Sequence, residues 1–331
     1  MTLTLADLFA SPDHYLHSFD GDAAVFVPMD RAAYHRSIFL DARISPAAEG
    51  AMRVPVAALA NAVPAAAPTA WIMHVAHCGS TLLARALDDA DANLVLREPQ
   101  ALRQIAFAPE DPRLALTASM LSKRYRADRP TIVKGNVPTN FLLPRIAAMA
   151  SAAPVILLHL SLRDYLLAIL RSDNHRTWLR AVTTQLAGQI AFWTGQPEGA
   201  ASPASDAERA AALWLAQMRL YAEAAAIMPN ARSLDAEQFF ATPAEVLTAA
   251  AAHLAVPLSA SAIAARVAGP LFATYSKNPS VAFGNAERLA RRHEAERDLA
   301  PELDAAAGWI DARGSAAAAA LAALAAVPLL G

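Results

Sequence analysis

The chain has a single cysteine, Cys78, among its 331 residues. That excludes an internal disulfide, and no Cys/His cluster has the spacing of a zinc site. A reducing, cytoplasmic compartment fits such usage. A dense Lys/Arg block is also missing and the formal net charge is −2, which argues against a nucleic-acid partner, because backbone phosphates are held by clustered positive charge. The start, MTLTLADLFASPDHYLHSF, lacks the basic and apolar regions of a signal peptide. No membrane span is expected either. The apolar stretch SAAAAALAALAAVPLLG is alanine-dominated and broken by Pro328, so it is short for a bilayer and reads as a packed terminal helix. There is no internal repeat.

What is present is apolar bulk: 55% of residues are hydrophobic, enough for a large core in one big α/β domain or two smaller ones. Residues 1–65 carry no chemical motif and read as an extension packed on the main domain, residues 66–331. The stretch NAVPAAAPTA, Asn61 to Ala70, marks the boundary, since proline and small residues between periodic segments usually form connections.

Beyond it, WIMHVA, NLVL, TIVK, VILLHL and ARSLDA are short apolar runs separated mostly by segments of helical period, such as Leu82, Leu83, Ala86 and Leu87. Continuous rather than alternating apolar runs suit strands covered on both faces. The expected fold is therefore α/β, in three layers, with a central, mainly parallel sheet flanked by helices. Ser161 with Asp164 and Ser205 with Glu208 have capping-box spacing and mark two helix starts. The Pro/Gly/Ser-rich stretch TGQPEGAASPASDAE, Thr194 to Glu208, reads as a loop long enough for a lid or insertion.

The first strand runs into HCGST and then a helix. Such a turn aims backbone N–H groups and the helix dipole at one spot, which attracts an anion. Gly79 permits close approach and Ser80 and Thr81 add hydroxyls. The plainer alternative is an ordinary turn in which Ser80 caps the helix. A nucleotide-hydrolase loop would read G-x-x-x-x-G-K-[ST]. Here Ser80 stands in place of the lysine, no glycine lies five residues before Gly79, and VILLHL ends without the metal-holding aspartate. ATP or GTP hydrolysis is not expected.

These residues resemble the sulfotransferase family, whose loop for the 5′-phosphosulfate of 3′-phosphoadenosine 5′-phosphosulfate (PAPS) runs strand, [KR]-[SG]-G-T-T, helix. HCGSTLL matches with His77 at the basic position, Cys78 lending an N–H, then Gly79, Ser80, Thr81 and Leu82. TIVKGNVPTNFLLPRI is similar to the family's K-T-H strand end, with Lys134 at the lysine and Asn136 at the catalytic histidine. ARSLDAEQFFATPAEVLTAAAAHLAVPLS is similar to its late strand–helix segment. The matches run from about Trp71 to Ser259.

The resemblance implies a P-loop fold and sulfuryl transfer from PAPS to a hydroxyl or amine of a small-molecule acceptor, leaving adenosine 3′,5′-bisphosphate, with no metal required. Lys134, the loop and a protonated His77 would meet the developing charge. Asn136 cannot act as base, so Glu98 in VLREP is the candidate, against a plain surface pairing with Arg97 or Arg103. Lys134 has its own plain alternative, a solvated strand end. Cys78 has no separate His/Asp partnership and does not read as a nucleophile.

The match departs at the 3′-phosphate site, where Leu160 and Ala168 occupy the family's arginine and serine positions. Arg163, or Arg171 with Ser172, could serve from a shifted register. The R-K-G-x-x-G motif is absent, and late in the chain Lys277, after Ser276, is the donor contact offered. Arg288, Arg291 and Arg292 read as a solvated basic helix face. The rival readings are a metal-using phosphotransferase and a non-catalytic scaffold that has lost the donor pocket.

Overall fold

The computed structural model describes residues 4–108, 110–197 and 205–331. The N-terminal segment forms a three-stranded antiparallel sheet of β1 (His14–Asp20), β2 (Ala23–Pro28) and β3 (Met52–Pro55), in that order. Buried polar contacts fasten it to the rest. Arg97, 1% exposed, donates to the Ser37 and Tyr34 carbonyls, each at 2.6 Å, and pairs with Asp88. Gln104 exchanges two hydrogen bonds with the Phe19 backbone, and Lys123 donates to the Leu8 and His14 carbonyls.

The five apolar runs are the five strands of the central sheet: β4 (Thr69–His74), β5 (Leu94–Arg97), β6 (Thr131–Lys134), β7 (Val155–His159) and β8 (Ala231–Asp235). Every residue of β4, β5 and β6 is buried, as continuous apolar composition requires of strands with helices on both faces. All pairings within the sheet are parallel and the order is β5-β6-β4-β7-β8. The fold is α/β, as the run pattern implies. The chain leaves the central β4 towards β5 and β6 on one side and towards β7 and β8 on the other. The crevice at the carboxyl end of β4 is therefore the switch point at which open sheets of this kind bind ligands.

Both outer strands are covered. Ser233 of β8 donates to Val327 O and accepts from Leu329 N–H, each at 2.8 Å, so the C-terminal tail runs along that edge. The alanine-rich stretch before it is the Ala316–Ala325 helix, which packs on the long Asp206–Ile227 helix. Beyond β5, Leu40 donates to Arg97 O at 2.7 Å. Covering edges in this way removes free pairing sites. Among the described residues no helix is long and apolar enough to cross a membrane.

Both capping serines act as expected, accepting from Asp164 N–H at 3.1 Å and Glu208 N–H at 3.2 Å. At the first, the Ser161 hydroxyl donates to the Asp164 carboxylate. Of the loop anticipated between Thr194 and Glu208, residues 198–204 lie outside the described residues. A late hairpin pairs β9 (Thr274–Tyr275) with β10 (Asn278–Ala282), with Ser276 and Lys277 at its turn.

Candidate active site

The turn after β4 is built from unusual backbone. Ala76, His77 and Gly79 all have positive φ, at 74°, 50° and 78°. Only glycine enters that region without steric cost, so two non-glycine residues there hold strain that the surroundings must fix. The fixing group is His74. Its Nδ1 accepts from Ala76 N–H at 3.1 Å and its Nε2–H donates to Gly135 O at 2.9 Å, tying the turn to the end of β6. Burial, then the nearby Lys134 and Lys277, push its pKa well below the usual histidine value. It is a neutral ring of fixed tautomer.

At Gly79 an added Cβ would lie 2.7 Å from Phe240 Cζ, so the ring of Phe240 closes one side of the turn. The Ser80–Ala86 helix begins here without a side-chain cap; Ser80 does not cap it. Among the described residues, nothing accepts from the N–H groups of His77, Gly79, Thr81 and Leu82. Thr81 Oγ1 is buried with no partner.

Next to the turn, at the ends of β6 and β5, Lys134 Nζ lies 2.5 Å from Glu98 Oε1. Lys134 is fully buried. Glu98 therefore pairs with neither Arg97 nor Arg103, and Lys134 does not run to solvent. Burial raises the Glu98 pKa, but Lys134, Lys277 and Arg43 together outweigh it and hold the carboxyl below its usual range. Burial lowers the Lys134 pKa, partly offset by Glu98. Glu98 has φ 57°, another non-glycine residue in the left-handed region.

A cavity of about 700 Å³ opens over these groups, in the size range of small-molecule sites. Its walls carry eight cationic side chains, Arg43, Arg103, Lys134, Arg171, Lys277, Arg288, Arg291 and Arg292, against three carboxylates, Glu98, Asp164 and Glu237. In a chain of net charge −2 this is a strong local excess. Arg288 forks onto Glu237 at 2.6 and 2.9 Å, Arg292 meets Asp164 at 2.6 Å, and Arg43 meets Asp41 at 2.5 Å. Among the described residues no carboxylate pairs with Arg103, Arg171, Lys277 or Arg291. Burial lowers the pKa of both Lys277 and Arg171, as it does for a cation lacking a close counter-charge.

Of the residues singled out in the sequence, His77, Gly79, Ser80, Thr81, Leu82, Glu98, Lys134, Arg171 and Lys277 all line this cavity. Three do not. Cys78 is fully buried beneath the turn. The Arg163 side chain is 58% exposed and pairs with Glu296 at 3.3 Å, because its position on the Leu162–Ile169 helix points it to the outer surface. Ser172 caps the Asp173–Gln185 helix, accepting from His175 N–H at 3.4 Å.

Two expectations are corrected. His77 is not the cation the loop pattern suggests: burial first, then Lys277, His175 and Arg171, push its pKa well below the usual value. Its ring stacks on the His175 ring, centroids 3.9 Å apart. Lys277, reaching the cavity from the hairpin turn, is the cation near that spot. Arg288 and Arg292 do not belong to a solvated face either, since they are partly buried on Glu237 and Asp164 at the cavity wall, whereas Arg291 is exposed as expected, at the cavity's edge.

Sequence reasoning missed His74, Phe39 and Arg43. His74 looked like one more residue of a buried strand. Phe39 and Arg43 come from the N-terminal segment, where no motif marks them, and the guanidinium lies 3.8 Å from the Phe39 ring centroid. Among the described residues no three His, Cys, Asp or Glu side chains gather as a metal site. No family model, curated protein or solved structure matches the chain.

Proposed function

We propose that the protein is a sulfotransferase-like enzyme that moves a sulfuryl group from PAPS to a small acceptor. The observation that carries this reading is the juxtaposition, in one cation-rich cavity, of the turn after β4, the Lys134–Glu98 pair and Lys277. The turn and Lys134 are positions at which the sequence resembles that family, while Glu98 and Lys277 are the candidates named beside those matches. The free N–H groups of the turn and the cations without carboxylate partners suit a ligand with several anionic groups. Leu160 and Ala168 also line the cavity. A 3′-phosphate would therefore rest on Arg171, Lys277 or Arg291 and not on the family's arginine and serine. The buried, unpaired Cys78 suits a cytoplasmic protein.

In the transfer, Glu98 takes the acceptor's O–H proton as the acceptor oxygen bonds to sulfur. The bond from sulfur to the 5′-phosphate oxygen breaks and its electron pair stays on that oxygen. Lys134, paired with Glu98 at 2.5 Å, meets the new negative charge, and the turn's N–H groups meet the charge on the sulfuryl oxygens.

Thermal unfolding with adenosine 3′,5′-bisphosphate, compared with ATP plus magnesium, tests the reading, since a ligand that binds only the folded form raises its stability. The expected result is a shift with the bisphosphate alone. A shift with ATP and magnesium and none with the bisphosphate would replace this proposal with a phosphotransferase.

A further inference from the structure

We propose that His77 is a proton-linked anion ligand: a neutral ring in the free protein, it takes up one proton when a sulfate- or phosphate-like group binds at the turn. The inference rests on the reading of that turn as an anion site and adds how the site responds to pH.

The His77 ring lies against the His175 ring, centroids 3.9 Å apart and planes 31° apart, with Trp178 edge-on to His77 at 5.9 Å. All three residues line the cavity. His175 Nδ1–H donates to Ala168 O at 3.0 Å, which fixes its tautomer and leaves Nε2 as the acceptor. Among the described residues, that Nε2 and both nitrogens of His77 have no hydrogen-bond partner, and neither ring pairs with a carboxylate. The imidazole of His77 is thus uncommitted within the fold, beside backbone N–H groups that also lack acceptors.

Charge of one sign faces the two rings from separate elements. Lys277 acts on both from the hairpin turn, and so does Arg171, which follows the Leu162–Ile169 helix. His74, on β4, also faces His77 but is itself neutral. The cavity's three carboxylates are engaged elsewhere, Glu98 with Lys134, Asp164 with Arg292 and Glu237 with Arg288. Burial together with these cations holds both rings unprotonated. A bound dianion reverses the balance, because it offsets the cations that oppose protonation and favours a positive charge on the ring nearest to it. His77 belongs to the turn itself, so it gains the proton. Two imidazolium rings in stacking contact would repel, so His175 stays neutral and the pair takes up one proton only. Such a site binds more tightly as pH falls, by up to about tenfold per pH unit while the proton is being taken up.

The test is calorimetry with sulfate, which stays fully ionised between pH 6 and 8, and with adenosine 3′,5′-bisphosphate. Titrations at pH 7 in two buffers of different ionisation enthalpy read the protons taken up. Sulfate should bring close to one proton with it and bind about tenfold tighter at pH 6 than at pH 8. His77→Gln should take up none and bind weakly at both pH values. His77→Lys, a permanent cation, should also take up none but keep its affinity at pH 8, while His175→Gln should retain the uptake. Sulfate binding to the parent protein without proton uptake overturns the inference, and that comparison needs no variant. Uptake that survives in His77→Gln overturns it too, since the proton would then belong to Lys277. Proton-linked sulfate binding with no binding of the bisphosphate removes the donor reading and leaves this one, whereas bisphosphate binding without uptake does the reverse. A protein that binds neither anion overturns both.

Discussion

Lys134 Nζ touches Glu98 Oε1 at 2.5 Å, and the Glu98 N–H donates to the Lys134 carbonyl at 2.8 Å. Side chain and backbone thus join the ends of two adjacent strands at the spot where the proposed transfer would take a proton from the acceptor. Each partner also keeps the other's charge tolerable in a buried place. Removing one leaves an uncompensated charge, which typically costs about 3 kcal/mol or more.

Glu98→Gln and Lys134→Met should therefore each lower the unfolding midpoint, while the double variant recovers most of the loss. Transfer activity should fall by about a hundredfold or more in all three. A denaturant titration of the four proteins, read as a double-mutant cycle, checks the coupling. Additive losses would mean that the pair does not act as one unit.

Lys277 should show the opposite balance. With burial pushing its pKa down and no carboxylate partner among the described residues, Lys277→Met should raise the midpoint of the ligand-free protein. It should also weaken adenosine 3′,5′-bisphosphate binding about 10- to 100-fold, the loss of one charge-assisted hydrogen bond. A variant that loses stability but keeps affinity would place the lysine outside the ligand site.

Gly79→Ala should be destabilised by about 1–2 kcal/mol from the left-handed backbone alone, with a further clash because the new methyl would sit 2.7 Å from Phe240 Cζ. Trimming the ring in Gly79→Ala/Phe240→Leu should relieve only the clash. Full recovery of the midpoint in that double variant would show that the backbone angle carries no strain.

Acid should weaken the fold through one buried and two half-buried histidines. His74, His77 and His175 all have lowered pKa values, His175 to about 4. Between the unfolded value of about 6.5 and these lower folded values, the unfolded chain binds more protons than the native one, so stability rises with pH and is lost as pH falls. The unfolding midpoint should drop from pH 6.5 towards pH 5. His74→Gln, which keeps one donor and one acceptor but cannot titrate, should flatten that slope. His35 opposes it weakly, since its contact with Asp88 raises its pKa. A midpoint constant from pH 7 to pH 5 in the parent protein would contradict the neutral assignment.

Arg97→Met should loosen the N-terminal segment. The guanidinium holds the Tyr34 and Ser37 carbonyls and Asp88 from a buried strand, so its loss strands a buried carboxylate as well as two carbonyls. Faster proteolysis within residues 30–60 would be the readout, and an unchanged cleavage pattern would argue against this anchoring.

The five strands were legible because each carries its burial in its own residues: runs such as TIVK and VILLHL leave no polar face to turn outward. The turn at Gly79 and the serine caps were legible for the same local reason, since hydroxyls and glycine satisfy backbone demands within a few residues of themselves. The sequence alone thereby determined the fold class and singled out nine of the residues that meet at the crevice.

Tertiary structure decided who faces whom. Inserting β6 between β4 and β5 brings Lys134 against Glu98, 36 positions away. Packing around the turn lowers the His77 pKa, turns Arg288 and Arg292 onto Glu237 and Asp164, and brings Arg43 from a segment with no motif. Charge state and ion pairing depend on dielectric and on neighbours distant in the chain, and no local pattern of residues encodes either.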